Sequence, residues 1–367
     1  MKNVFIIITM IFFITGCSKV KQVETFSYKA SDIKAYEQET QVTEVENGFF
    51  QPSVYGHKDI ALVLPSLQIG KYAIEAVNTM NGYLLYAADN IKLTIYDIKY
   101  QNEENIIDVF QKLEENNHQR VILMITNENV KYLKNFIPNN KITLYLPLVN
   151  KIDIENLDID SNLEIICAAI DYKEQIEKLA FYAKDGKLVN LNDNNTIGYY
   201  LRKKMDHIDV LYHKTVDNNN GKYDSFLKKK KLFDNSTVFL NTAIIKSSIL
   251  LSQFRAHKLN IKEVLSTQLN YKRSILSLTQ KHDRENMIVA SSIGHIPENI
   301  LQYSKLLGND LEYNWVNYSV LVGTYYLTNN NINIFEDLKI EDGSIIYPVY
   351  LYKVGKSSFK RIKSSDF

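Results

Sequence analysis

Short apolar runs alternate with segments of helical period along most of this chain. The run DIALVLP (59–65) reads as a buried strand, and 70–88 sets Ala73, Val77, Met80, Leu84 and Ala87 at helical spacing. A strand follows at 92–98, then a helix at 103–116 with Ile106, Val109, Phe110 and Leu113 on one face. A third strand (120–125), a short helix (130–137) and a fourth strand (141–148) complete a first series. The polar, acidic stretch 150–162 reads as a crossover, after which the pattern restarts. Strands are expected at 163–170, 187–192, 207–216, 236–241 and 261–267, and helices at 172–184, 196–205 and 243–257. A strand at 286–293 is expected to return to the first series, ahead of helices at 297–307 and 313–327. The tail reads as two strands around Gly355-Lys356-Ser357, a hairpin.

Apolar runs of this length joined by helices imply parallel strands with right-handed crossovers. The expected fold is therefore α/β, with two doubly wound parallel-sheet lobes, a hinge and a cleft between them. The second lobe and hinge hairpin would take 151–283 plus 329–367, and the first lobe 57–150 plus 284–328. A length of 367 residues exceeds what one core usually holds, which agrees with two lobes.

In open parallel sheets, ligands bind beyond the carboxyl ends of the strands, where loops expose amides and short polar side chains. Those ends carry Ser66, Gln68, Asp97, Thr126 and Asn127 in the first lobe. In the second they carry Asp171, Tyr172, Asn192, Asn241, Thr242 and Thr267. These are the candidate cleft residues for a small polar ligand.

Charge narrows the function classes. Lys and Arg number 43 against 42 Asp and Glu, a net +1, so the basic excess of a nucleic-acid binder is missing. The four lysines 228–231 read as a solvated face. Catalytic and cofactor signatures fail one by one. Gly355-Lys356-Ser357 has Tyr350 where a phosphate loop needs Gly, and it sits in a hairpin. Loops at Asp193 and Asp217 put Lys204 and Lys228 where a calcium loop needs a bidentate Glu. Ser225 and Lys228 stand without the partner motifs of penicillin-recognising enzymes. His207 and His213 fall on one strand face, a pattern read as packing. No enzyme, cofactor or metal is implied, and binding is the expected role. Cys167, in the run LEIICAAI, reads as a small core hydrophobe.

The N-terminus places the protein. In MKNVFIIITMIFFITGC, Lys2 precedes an apolar stretch over 4–14, followed by Thr15, Gly16 and Cys17. That stretch is shorter than the ~20 residues of a spanning helix and has the layout of a secretory signal. Its ending, Ile-Thr-Gly-Cys, resembles the bacterial lipoprotein box, which implies acylation of Cys17. Residues 1–17 would then be a signal peptide and 18–56 a polar tether, with the chain held on a membrane through its N-terminal lipid. Ser18 rather than Asp after the cysteine resembles the signal for the outer membrane over the inner, facing the periplasm.

The ordered pieces also resemble a family. IALVLPSLQIGKYAIEAVNTMNGYLLYA followed by KLTIYDI is similar to the opening of type I periplasmic binding proteins. AAIDYKEQIEKLAFYAKDGKLVNLNDNNTIGYYLRKKM resembles their second-lobe entry. NSTVFLNTAIIKSSILLSQFRAHKLNIKEVLST looks closer to the lipoprotein branch that activates penicillin-binding proteins, and LEYNWVNYSVLVGTYYL and EDGSIIYPVYLYKVGKSSFKRI resemble the late helix and closing hairpin. The resemblance runs over about 57–365. It implies the two-lobed fold and two roles: binding an amino acid, peptide or wall fragment, or acting as an envelope interaction module such as a regulator of a peptidoglycan synthase. Two departures bear on the ligand. MITNEN stands where amino-acid receptors carry Gly-Pro, and Cys167-Ala168-Ala169 where they carry Phe-Arg. The activator branch carries a helical-repeat domain where this chain has its tether.

Overall fold

The computed structural model describes residues 58–87, 91–183, 186–217, 221–329, 332–335 and 337–363; Cys17 and the tether lie outside them. In chain order the first strands and helices are β1 (Lys58–Leu64), α1 (Lys71–Ala87), β2 (Ile91–Asp97), α2 (Glu103–Glu115), β3 (Arg120–Leu123), β4 (Ile142–Leu146) and β5 (Leu163–Cys167). A second series follows: α3 (Tyr172–Ala180), β6 (Lys187–Asp193), α4 (Thr196–Lys204), β7 (Tyr212–Val216), β8 (Ser236–Asn241), α5 (Ile244–Ala256), β9 (Ile261–Ser266) and β10 (Met287–Ser291). The chain ends with α6 (Glu298–Leu306), α7 (Trp315–Asn329), β11 (Lys339–Glu341), β12 (Ser344–Ile346), β13 (Tyr350–Val354) and β14 (Phe359–Arg361).

The strands form two seven-stranded sheets of matching design. Sheet A runs β11-β12-β5-β4-β3-β1-β2 and sheet B runs β14-β13-β10-β9-β8-β6-β7. In each, five strands run parallel around a central switch, β1 against β3 and β6 against β8, and a hairpin closes one edge, its inner strand parallel to β5 in sheet A and antiparallel to β10 in sheet B. Both faces of each sheet are covered, which is why the strands read as continuous apolar runs. Ile60, Leu62 and Leu64 of β1 pack in the cluster that holds α1 residues, while Ala61 and Val63 pack with Ile106, Val109, Phe110 and Leu113 of α2. Asn102 caps α2 by accepting the Asn105 N–H at 2.8 Å, and Glu103 and Glu104 in the first turn favour the helix dipole.

Strand membership differs from the expected pattern at three places. Strand β5, expected in the second lobe, pairs with β4 from Ile142↔Leu163 to Leu146↔Cys167 and so belongs to sheet A. The acidic stretch before it joins β4 to β5 within one sheet; Asn150 and Asp153 form a reciprocal cap on a short turn there. Strand β10, expected to return to the first lobe, pairs with β9 and β13 in sheet B. The closing hairpin is β13–β14, with Tyr352↔Arg361 and Val354↔Phe359, but Ser344–Ile346 belongs to a separate hairpin in sheet A. Gly343 makes that placement possible. Its φ of +71° suits glycine, and its carbonyl accepts the Cys167 N–H at 2.8 Å, with no room for a Cβ against the Ile165 carbonyl.

The chain therefore passes between sheets at three points: after β5, after β10, and between β12 and β13. All three meet the start of α7. Ser319 Oγ lies 3.1 Å from the Ala168 carbonyl on the first passage. The Tyr318 hydroxyl leaves only 2.9 Å for a Cβ on Gly294 in the second. Tyr347, on the third, packs edge-on against Trp315 at 4.6 Å and places its hydroxyl 3.1 Å from that of Tyr145 in β4.

Candidate functional site

At the carboxyl end of β1 and β2, the candidate residues bind one another. Ser66 donates its N–H and its hydroxyl to the Asp97 carboxylate, at 3.1 and 2.7 Å. The Lys99 N–H donates to the same carboxylate at 2.9 Å and its ammonium pairs with it. Burial pushes the Asp97 pKa up, but the hydrogen bonds from Lys99 and Ser66 outweigh it and hold it below the ordinary value. Gln68 accepts the Gln101 N–H at 2.9 Å, and Gln101 Oε1 in turn accepts the Thr126 N–H at 2.8 Å and an Asn129 amide hydrogen at 3.1 Å. Asn127 stands exposed beside Asp153. Gln101 is the organiser here, and it lies in the loop after β2, beyond the strand-end positions that the sequence pattern marks.

In sheet B the strand ends form a buried polar layer under α3 and α4. Asn192 and Asn241 stand on adjacent strands, with Thr267 just past the end of β9, on the face that also carries Leu188, Phe239 and Leu265 toward Ile176 of α3 and Leu201 of α4. All three are fully buried. Asn241 donates to Asn190 Oδ1 at 3.1 Å, and Asn192 to the Asp193 carbonyl at 3.1 Å. The Thr242 hydroxyl, on the opposite face, lies 2.8 Å from that of Ser247. Gln175 of α3 closes the layer: its Nε2 donates to Ser292 Oγ at 2.9 Å and its Oε1 accepts the Gln268 N–H at 2.8 Å.

Residues Asp171 and Tyr172 open α3. Asp171 caps the helix by accepting the N–H groups of Lys173 and Glu174, at 2.8 and 3.4 Å. Tyr172 meets Tyr200 of α4 edge-on at 6.3 Å; burial, then the neighbouring Tyr200 and Tyr72 rings' phenols, push its hydroxyl pKa up. Tyr72 belongs to α1, so the two series approach each other here. Tyr271, after β9, also packs at 5.3 Å from Tyr313, in the segment before α7.

Between the two series lies a cavity of about 290 Å³. Val149–Ile152, Cys167 and Ser344–Ile346 line it from sheet A, and Asp171, Lys173, Tyr200 and Lys204 from the α3–α4 side. Of the sequence-derived candidates, Asp171 alone lines it. Asp97 lines a separate cavity of about 330 Å³ between β2 and α2. Tyr200 and Lys204 carry no strand-end signal because they project from a helix; their i, i+4 spacing is the only sequence feature that pairs them. Burial, with Asp153 and Asp171 nearby, pushes the Tyr200 hydroxyl up to about 12. Burial, then Asp153, pushes the Cys167 thiol up to about 12 as well, so it lines the cavity as an inert wall. His207 and His213 part company: His207 lies before β7 and pairs with Glu177 at 3.3 Å, while His213 Nδ1 sits 3.3 Å from Asn190. Among the described residues no His, Cys, Asp and Glu group could hold a metal, and no helix is long and apolar enough to cross a membrane.

No known family's sequence profile matches the chain, and no curated protein matches it. Solved structures do. A branched-chain amino acid ABC transporter protein from Rhodospirillum rubrum aligns over 83% of this chain and all of its own, at 11% identity and a TM-score of 0.62. The leucine-, isoleucine-, valine-, threonine- and alanine-binding protein from Brucella ovis aligns over 84% of this chain and 94% of its own, at 12% identity and 0.60. The C-domain of LpoA from Haemophilus influenzae, a regulator of PBP1A, aligns over 83% of this chain and all of its own, at 8% identity and 0.57. At these identities the likeness is one of fold. The chain has the two-lobed α/β fold of type I periplasmic binding proteins, the fold that amino-acid receptors and the LpoA C-domain share.

Proposed function

We propose that this chain is a non-enzymatic envelope protein that holds a small polar ligand between its lobes. The observation that carries this reading is the cavity of about 290 Å³ walled jointly by the β4, β5 and β12 ends of one lobe and by α3 and α4 of the other. A site divided between two lobes gives a ligand contacts that exist only when both lobes are in place. An amino acid, a peptide or a wall fragment fits this description. Acylated Cys17 would hold the protein on the periplasmic face of the outer membrane. A thermal-shift screen of amino acids, peptides and muropeptides tests the binding, since a ligand of the native state raises stability by RT ln(1 + [L]/Kd). A flat response across the screen would count against it. Labelling with a palmitate analogue, in the wild type and in Cys17→Ser, tests the anchor.

One observation favours a second reading, an interaction module that regulates an envelope partner such as a peptidoglycan synthase. Polar groups at the strand ends are already engaged by one another or by neighbouring loops and helices: Ser66 with Asp97, Thr126 with Gln101, Gln268 with Gln175. In-cell crosslinking and pull-down would recover such a partner, and recovery of none would remove this reading.

A further inference from the structure

We propose that the interlobe cavity takes an anion, a small molecule bearing a carboxylate or phosphate group, held by Lys151, Lys173 and Lys204. This rests on the reading of that cavity as a ligand site.

The three lysines reach the cavity from three separate elements. Lys151 opens the short turn after β4, Lys173 lies in the first turn of α3, and Lys204 ends α4. Asp171 is the one carboxylate in the lining, and it is committed: one of its oxygens accepts two backbone N–H groups of α3. Behind the wall, Asp153 accepts the Asn150 N–H at 3.2 Å and is engaged by Asn127, with the Lys204 charge nearby.

The lysines themselves are loosely held. Lys151 stands 3.8 Å from Asp342, a side chain 90% exposed, and Lys173 stands 3.7 Å from the half-exposed Glu177. Exposed pairs at such distances exchange readily for a better partner. Lys204 has no ion pair among the described residues; its ammonium sits 5.1 Å from the Tyr200 ring centroid. Three cations set against Asp171 in the lining and Asp153 behind it leave a net positive recess with partly buried walls, where the field is stronger than on open surface. A carboxylate or phosphate completes that arrangement. An ammonium group would meet like charge, so a zwitterionic amino acid fits less well than a simple acid.

The test uses the full chain in detergent, with succinate and inorganic phosphate as anionic probes, succinamide as a neutral isostere, and leucine and putrescine for the zwitterionic and cationic classes. Succinate or phosphate is expected to raise the melting temperature, more at low salt than at high salt, with succinamide and putrescine inert. The paired substitution Lys151→Gln with Lys204→Gln should weaken anion binding at least ten-fold without changing the melting temperature of the free protein. Lys229→Gln, far out on an exposed turn, should bind as the wild type does. If succinamide or leucine binds and the paired variant binds it equally well, the anion assignment fails while the ligand site stands. If no probe or screened ligand of any class binds, both fall together.

Discussion

The Asp193 carboxylate and the Lys246 ammonium form an ion pair at the carboxyl edge of sheet B, with side chains 3% and 12% exposed. The Ala243 N–H donates to Asp193 at 2.6 Å and Lys246 donates to the Val216 carbonyl at 3.0 Å, so each charge has a second partner. Removing one member leaves the other a buried charge with a single neutral hydrogen-bond partner and no counter-ion. Lys246→Met should cost about 3–5 kcal/mol by urea unfolding. Adding Asp193→Asn to that variant should recover much of the loss, and a double variant no more stable than the single would show that the pair is not the cause.

Helix α7 lies so close to sheet A that the Tyr145 ring fills the place of a Cβ on Gly323. Gly323→Ala should destabilise the protein by roughly 1–3 kcal/mol through overpacking, despite the better helix propensity of alanine. Combining it with Tyr145→Leu should remove part of that penalty. A denaturation series in which Gly323→Ala is neutral would mean that the helix shifts freely.

Asp97 links acidity to stability. Its pKa in the folded chain lies below the ordinary carboxylate value because the Lys99 and Ser66 hydrogen bonds outweigh burial. The unfolded chain thus binds the proton more tightly. This group's contribution is present above about pH 4, the unfolded carboxylate range, and is lost as pH falls through the folded pKa. Asp97→Asn should flatten the acid limb of the stability curve, and Ser66→Ala should move the Asp97 titration upward by NMR.

The thiol of Cys167 offers a probe of the cavity wall. Burial, with Asp153 beside it, holds the thiol in its protonated form at neutral pH. Iodoacetamide at pH 8 should modify the Cys167 peptide slowly in the native protein and rapidly in urea. Fast labelling without denaturant would show that the wall opens.

Local patterns make the strands legible and leave their partners obscure. β1 is recognisable because Ile60, Leu62 and Leu64 face one layer while Ala61 and Val63 face the other, a burial on both sides that forces an unbroken apolar run. The same logic finds β5, but LEIIC would look alike in either sheet. Its membership comes from pairing with Ile142–Leu146, a contact 21 residues away in sequence that leaves no periodic trace. The three-residue strands β11 and β12 are too short to show any period at all. At the site, Asn192 and Asn241 are visible as polar strand ends. Their burial beneath α3 and α4 depends on which parity the helices cover. Lys204 and Tyr200 enter from a helix flank, where polar residues are the rule and carry no message.

Gly343 and the edge it meets also bear on how the chain folds. Strand β5 gains its outer neighbour only from β12, about 180 residues further along the chain. Until β12 is in place that apolar edge is open to pairing with another chain, so the β11–β12 hairpin covers an edge that would otherwise favour aggregation.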